Sequence, residues 1–149
     1  MTYKKKIHRL EVPGAIYFVT FVTWERLELT SEAQQLVLDA CLFFNQKRYE
    51  IFALVVMQDH VHFLIQPFPK SDSEYWSIGS ILHSIKSYSA KQIPQVMQHI
   101  GKVWQDGRYE ELVKERESFL TIWEYIRQNP VKAKLSYRPE EYPFLWEQF

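Results

Sequence analysis

The stretch "IFALVVMQDHVHFLIQ", residues 51–66, decides the fold. Two runs rich in β-branched and aromatic residues, 51–57 and 60–66, are parted only by Gln58-Asp59, a spacing that predicts a tight antiparallel hairpin. Side chains on a strand share a face at every second position, so His60 and His62 point one way and Val61 the other. Two imidazoles on one face make a bidentate arrangement. Their neutral nitrogens can take a divalent metal, or the rings can be ordinary packed histidines held by hydrogen bonds. The pair alone does not choose between these readings.

The flanking sequence supplies the rest of a sheet and its helices. "IYFVTFVT", residues 16–23, predicts the first strand. Ser31 with Gln34 forms a capping box, and Ala33, Leu36, Val37, Ala40, Cys41 and Phe44 then recur at helical spacing to about Lys47. A second helix is predicted from about Ser77 to Ile93, burying Ile78, Ile81, Leu82, Ile85 and Ser89, with Pro94 as its stop. "KVWQDGRY", residues 102–109, reads as a fourth strand, and a third helix is predicted from about Glu115 to Asn129, truncated by Pro130. The tail "KLSYRPEEYPFLWEQF" is aromatic and proline-rich and reads as irregular chain packed by its rings. Strand, helix, strand, strand, helix, strand is the order of a ferredoxin-like α+β plan: an antiparallel sheet with helices on one face, to which the third helix is an addition.

At 149 residues the chain suits one domain, with residues 1–13 as a basic arm and 131–149 as the aromatic tail. Eighteen Lys and Arg balance eighteen Asp and Glu, so no net field draws in a polyanion. Nucleic acid would have to be held locally, and Lys4, Lys5, Lys6 and Arg9 of the arm, with Lys86 and Lys91 of the second helix, are the candidate phosphate contacts. The single Cys41 makes no internal disulfide, and no signal peptide or bilayer-length apolar run is evident, so a reducing cytoplasm is the expected location. Five Trp, nine Tyr and ten Phe serve either packing or base stacking; Trp104, Trp123 and Trp146 read as packing.

On "ESFLTIWEYIRQNP", residues 117–130, Phe119, Ile122, Trp123 and Ile126 form the buried stripe, while Tyr125 and Asn129 share a flank beside it. A phenol can act as a nucleophile, and an amide oxygen one turn away can be a third ligand to a hard cation. The alternative is a boundary tyrosine with an Asn that ends the helix. Tyr109, in "GRYEELV", is the rival nucleophile, on or beside a strand and with no amide one turn later. Tyr88, after Lys86 and Ser87, reads either as a DNA-backbone contact or as plain surface; His83 and His99 read as having no special role.

His60-Val61-His62 after its hairpin, "IKSYSAKQI" (85–93), "VWQDGRY" (103–109) and above all "YIRQNPVKA" (125–133) resemble, in order and spacing, the single-tyrosine (IS200-like) transposases of the HUH class, where U is a hydrophobic residue. The resemblance is nearest to the REP-associated tyrosine transposases. It implies an enzyme that cleaves and rejoins single-stranded DNA beside repeat hairpins through a 5′-phosphotyrosine. It also implies His60, His62 and Asn129 as ligands of Mg²⁺ or Mn²⁺ and Tyr125 as the nucleophile, in a monomer or homodimer acting on single-stranded or hairpin DNA. Gln58-Asp59 stands where these proteins commonly have Pro-Asn. The alternative is a catalytically silent protein that binds DNA hairpins on the same fold; a weaker third is a metal-binding protein unrelated to DNA.

Overall fold

A computed structural model describes residues 11–149. Its five-stranded sheet is antiparallel throughout and is built from β1 (Ile16–Val22), β2 (Tyr49–Val56), β3 (His60–Pro67), β4 (Tyr109–Val113) and β5 (Leu145–Glu147), in the order β4-β1-β3-β2-β5. The first four strands, joined through α1 (Ser31–Leu42) and α2 (Ile78–Val96), are the expected ferredoxin-like arrangement. The hairpin places β3 in the centre of the sheet, where both of its edges are paired.

The period of two sorts the two faces. Tyr17, Val19 and Phe21 of β1 share a face with Val61, Phe63 and Ile65 of β3, all fully or nearly fully buried. On that side Trp104 packs edge-on against Phe21, ring centroids 5.0 Å apart, and its indole N–H donates to Ser89 of α2 at 2.9 Å. Gln34 of α1 donates to the Val56 carbonyl. The helices α1 and α2 therefore cover this face. α3 (Arg116–Lys132) lies on the other, where Phe119 meets Phe52 of β2 and Tyr125 meets Phe18 of β1. Phe52 is the extra residue of a β-bulge between Ile51 and Ala53, which turns its ring to α3.

Several boundaries differ from those the sequence predicts. α1 begins at Ser31 with Thr30 as its cap, Thr30 Oγ1 accepting from the Ala33 N–H, so no box headed by Ser31 forms, and the helix ends at Leu42. Pro94 and Pro130 lie inside α2 and α3 rather than ending them. Each sits in the last turn, where its missing N–H removes one helical bond and the chain need continue only two residues more. α3 closes instead at Lys134, whose φ of +62° is left-handed. The fourth strand is Tyr109–Val113, not 102–109: Trp104 makes only an isolated bridge to Thr23, and Gly107, at φ +82°, turns the chain before pairing begins. The tail is not irregular throughout, since β5 pairs with β2 through Ala53↔Glu147, Leu54↔Trp146 and Val55↔Leu145. Buried Tyr142 anchors it, donating to the Val56 carbonyl at 2.8 Å and accepting from Gln34 Nε2 at 2.9 Å. Among the described residues no helix is long and apolar enough to cross a membrane.

Candidate active site

His60 and His62 open β3 on the face covered by α3, their ring centroids 4.7 Å apart. His62, 1% exposed, stacks on Phe18 at 5.5 Å and meets the Tyr125 ring edge-on at 5.4 Å. Antiparallel register sets Thr20 opposite His62, and Thr20 Oγ1 lies 2.7 Å from His62 Nδ1. The other ring nitrogen, Nε2, is buried and has no hydrogen-bond partner among the described residues. Burial first, and then the charge of His60, push the His62 imidazole down to about 3, so the ring is neutral at ordinary pH and able to coordinate.

His60 is held differently. Its Nδ1 lies 2.7 Å from Asp59 Oδ1, and Arg26 Nε donates to Asp59 Oδ2 at 3.0 Å. Burial pushes the Asp59 carboxyl up, but the hydrogen bond and charge of His60, and then Arg26, outweigh it and hold the carboxyl below its usual range. An ionised carboxylate only accepts, so the proton between them sits on His60 Nδ1 and the lone pair on Nε2. Arg26 reaches Asp59 from a short turn, Trp24–Arg26, in which Glu25 and Arg26 both have left-handed φ, +50° and +57°. Such conformations cost non-glycine residues about 1–2 kcal/mol each. Bonds from the Thr23 N–H to the Asp59 carbonyl (3.0 Å) and from the Leu29 N–H to the Gln58 carbonyl (2.7 Å) fix this turn to the β2–β3 hairpin.

The two candidate tyrosines flank the same ring. Tyr125 and Tyr109 both meet Phe18 edge-on at 6.1 Å, and they are 38% and 40% exposed. Distance to Phe18 does not separate them; hydrogen bonding does. The Tyr109 hydroxyl donates to Glu111 Oε1 at 2.9 Å, and burial, then that bond and the Glu111 charge, raise its pKa, which holds the proton where a nucleophile must lose it. Tyr125 instead lies against the imidazole of His62. Asn129 is one turn further along α3 and half-buried. Among the described residues no third His, Cys, Asp or Glu joins the pair as a metal-binding cluster.

The donor set fits a divalent cation, since each imidazole has its Nδ1 engaged, the pattern by which ligating histidines are oriented, and the Nε2 of His62 has no hydrogen-bond partner among the described residues. The candidate phosphate contacts are more scattered. The Lys86 ammonium donates to the carbonyls of Gln105 and Gly107, at 2.9 and 2.8 Å, where it fastens the loop before β4. Lys91 is exposed on α2, on the far side of the sheet from the histidines, while Lys4, Lys5, Lys6 and Arg9 lie outside the described residues. A groove of about 720 Å³ also belongs to the far side, between α1 and α2. Thr20 and Arg26 were not singled out by the sequence, and Asp59 was noted only as a residue of the hairpin turn. Register counting from the hairpin could have found Thr20, and the carboxylate next to His60 was itself a visible signal.

The histidine pair thus stands on the central strand of a ferredoxin-like sheet, with His62 facing a tyrosine on the added helix. The model of the IS200-like transposases matches residues 12–129, and the chain belongs to that family. It is 24% identical over 133 residues to a provisionally named REP-associated tyrosine transposase of Haemophilus influenzae, covering 80% of this chain and 72% of that protein. Its fold is similar to that of a REP-associated tyrosine transposase solved bound to a REP hairpin (TM-score 0.74, 23% identity, 95% of this chain and 82% of the other). A provisionally named transposase from Deinococcus radiodurans is a more distant structural relative, with a TM-score of 0.52 and 22% identity over 83% of this chain and 96% of the other.

Proposed function

We propose that the protein is a metal-dependent transposase and endonuclease that cleaves and rejoins single-stranded DNA near repeat hairpins, with Tyr125 as nucleophile. The observation that carries this reading is the buried Nε2 of His62, without a hydrogen-bond partner among the described residues, beside both His60 and the ring of Tyr125. Family membership supports the reaction class, and the relative bound to a REP hairpin supports hairpin DNA as the partner.

His60 and His62 would hold Mg²⁺ or Mn²⁺ through Nε2, with the Asn129 amide as third ligand; two imidazoles suit Mn²⁺ at least as well as Mg²⁺. Bound there, the cation would polarise a non-bridging oxygen of the scissile phosphate. The Tyr125 hydroxyl gives up its proton to solvent as its oxygen attacks phosphorus, the bond to the 3′ oxygen breaks, and that oxygen takes up a proton from solvent to leave as a 3′-hydroxyl, so that one proton is lost and one gained. The 5′-phosphate remains esterified to Tyr125. The phosphotyrosine keeps the bond energy, so rejoining needs no nucleotide cofactor. Phe18, stacked on His62 and edge-on to Tyr125, holds the two rings in register.

The test is cleavage of a hairpin-flanked oligonucleotide. Activity should require a divalent cation and disappear in His60→Ala and His62→Ala while circular dichroism shows both folded. Full activity in excess chelator would refute the ligand assignment. Tight hairpin binding without cleavage under any metal would move the protein to the binding-only alternative.

A further inference from the structure

We propose that Asp59, clamped by Arg26, is a positioning residue that sets the tautomer of His60 and so presents its Nε2 lone pair to the metal. The proposal rests on the metal-site reading above and adds to it the device that readies one ligand before metal arrives.

Three observations support it. The two carboxylate oxygens of Asp59 are divided, Oδ1 facing His60 Nδ1 at 2.7 Å and Oδ2 accepting from Arg26 Nε at 3.0 Å, so the carboxylate has little freedom to rotate away. The backbone beneath it is gripped as well. The Thr23 N–H donates to the Asp59 carbonyl at 3.0 Å, while its hydroxyl donates chiefly to the Leu27 carbonyl at 2.7 Å, and the Leu29 N–H donates to the carbonyl of Gln58. Finally, the chain adopts two successive left-handed residues, Glu25 and Arg26, on the way to delivering the guanidinium. Strain of this kind persists only where the surroundings over-determine it.

The two histidines are thereby oriented by unlike groups. Thr20 can donate or accept and leaves the His62 tautomer open to either form, whereas the Asp59 carboxylate accepts only and fixes that of His60. A carboxylate behind an imidazole also raises its basicity as a ligand. His60 is thus the pre-set ligand and His62 the one that adjusts as metal enters.

Two readouts test this. Long-range ¹H–¹⁵N spectra of the metal-free protein report which His60 nitrogen carries the proton, and titration with Mn²⁺ alone reports affinity. Wild-type protein should show His60 protonated at Nδ1. Asp59→Ala should lose that tautomer and bind Mn²⁺ about 10–100-fold more weakly, the usual consequence of removing such a partner. Asp59→Asn, whose amide oxygen can still accept from His60, should keep the tautomer with an intermediate affinity, and it guards against a folding failure in the alanine variant. Arg26→Ala should weaken Mn²⁺ binding less than Asp59→Ala. An Nε2-protonated His60 in the wild type, or Asp59→Ala binding Mn²⁺ as tightly as wild type, would overturn the proposal. Wild-type protein with the Nδ1 tautomer but no Mn²⁺ uptake would instead overturn the metal-site reading, and the intact tautomer distinguishes that failure from the first.

Discussion

At the scale of single residues, the site depends on one buried histidine kept neutral. The unfolded chain takes a proton on His62 near the ordinary value of 6.5, while the folded protein refuses it until about 3. Between those values the unfolded state binds more protons. The stability that neutral His62 allows is therefore present above about pH 6.5 and lost progressively as pH falls towards 3, at up to about 1.4 kcal/mol per pH unit. Urea unfolding of the metal-free protein between pH 7.5 and 4.5 should show this slope, and His62→Asn, which does not titrate, should flatten it; equal slopes would mean that His62 is not the group responsible. Asn129→Ala should fall between wild type and the histidine variants in cleavage rate, and should recover in part at raised Mn²⁺, because two imidazoles hold a cation loosely but orient the phosphate poorly. No recovery at any Mn²⁺ concentration would give Asn129 a different role.

At the scale of elements, the placement of Tyr125 depends on how α3 is moored. Arg127, two residues on, donates from Nε to Glu147 of β5 at 2.7 Å and from Nη2 to Glu140 at 2.8 Å, and its guanidinium lies over Trp123. Arg127→Ala should lower the cleavage rate with DNA affinity little changed, since it releases the helix without touching the nucleophile; wild-type turnover would show that packing alone holds α3. Tyr142→Phe removes the hydroxyl shared by Val56 and Gln34 and should cost about 1–3 kcal/mol in denaturant unfolding. The hairpin, the histidine face and the position of Tyr125 beside the buried stripe of Ile122 and Ile126 were legible in the sequence because periods of 2 and 3.6 are local properties. β5 was not, because three residues of a proline-rich tail become a strand only when β2 offers an open edge. The Arg26–Asp59 pair was hidden for the same kind of reason: it depends on a left-handed turn 33 positions away along the chain, although Asp59 itself is plain in the sequence beside His60. The two prolines misled because proline breaks a helix interior but is tolerated in a last turn.

At the scale of the whole molecule, a chain of zero net charge must hold DNA through local contacts. With Lys86 engaged by carbonyls and Lys91 on the far side of the sheet, the arm of Lys4, Lys5, Lys6 and Arg9 is the main remaining candidate of those the sequence offered. Deleting residues 1–9 should weaken oligonucleotide binding and flatten its salt dependence by roughly 0.7 in logarithmic slope for each phosphate no longer neutralised, with cleavage at saturating DNA retained. An unchanged slope would place the phosphate-binding cations elsewhere on the molecule. The central claim, that Tyr125 is the nucleophile of a histidine-held metal site, is tested most directly by trapping the protein on a suicide hairpin oligonucleotide in Mn²⁺ and mapping the attachment by peptide mass spectrometry. The phosphotyrosine should fall on Tyr125, persist in Tyr109→Phe and vanish in Tyr125→Phe; an adduct on Tyr109, or no adduct despite tight hairpin binding, would contradict it.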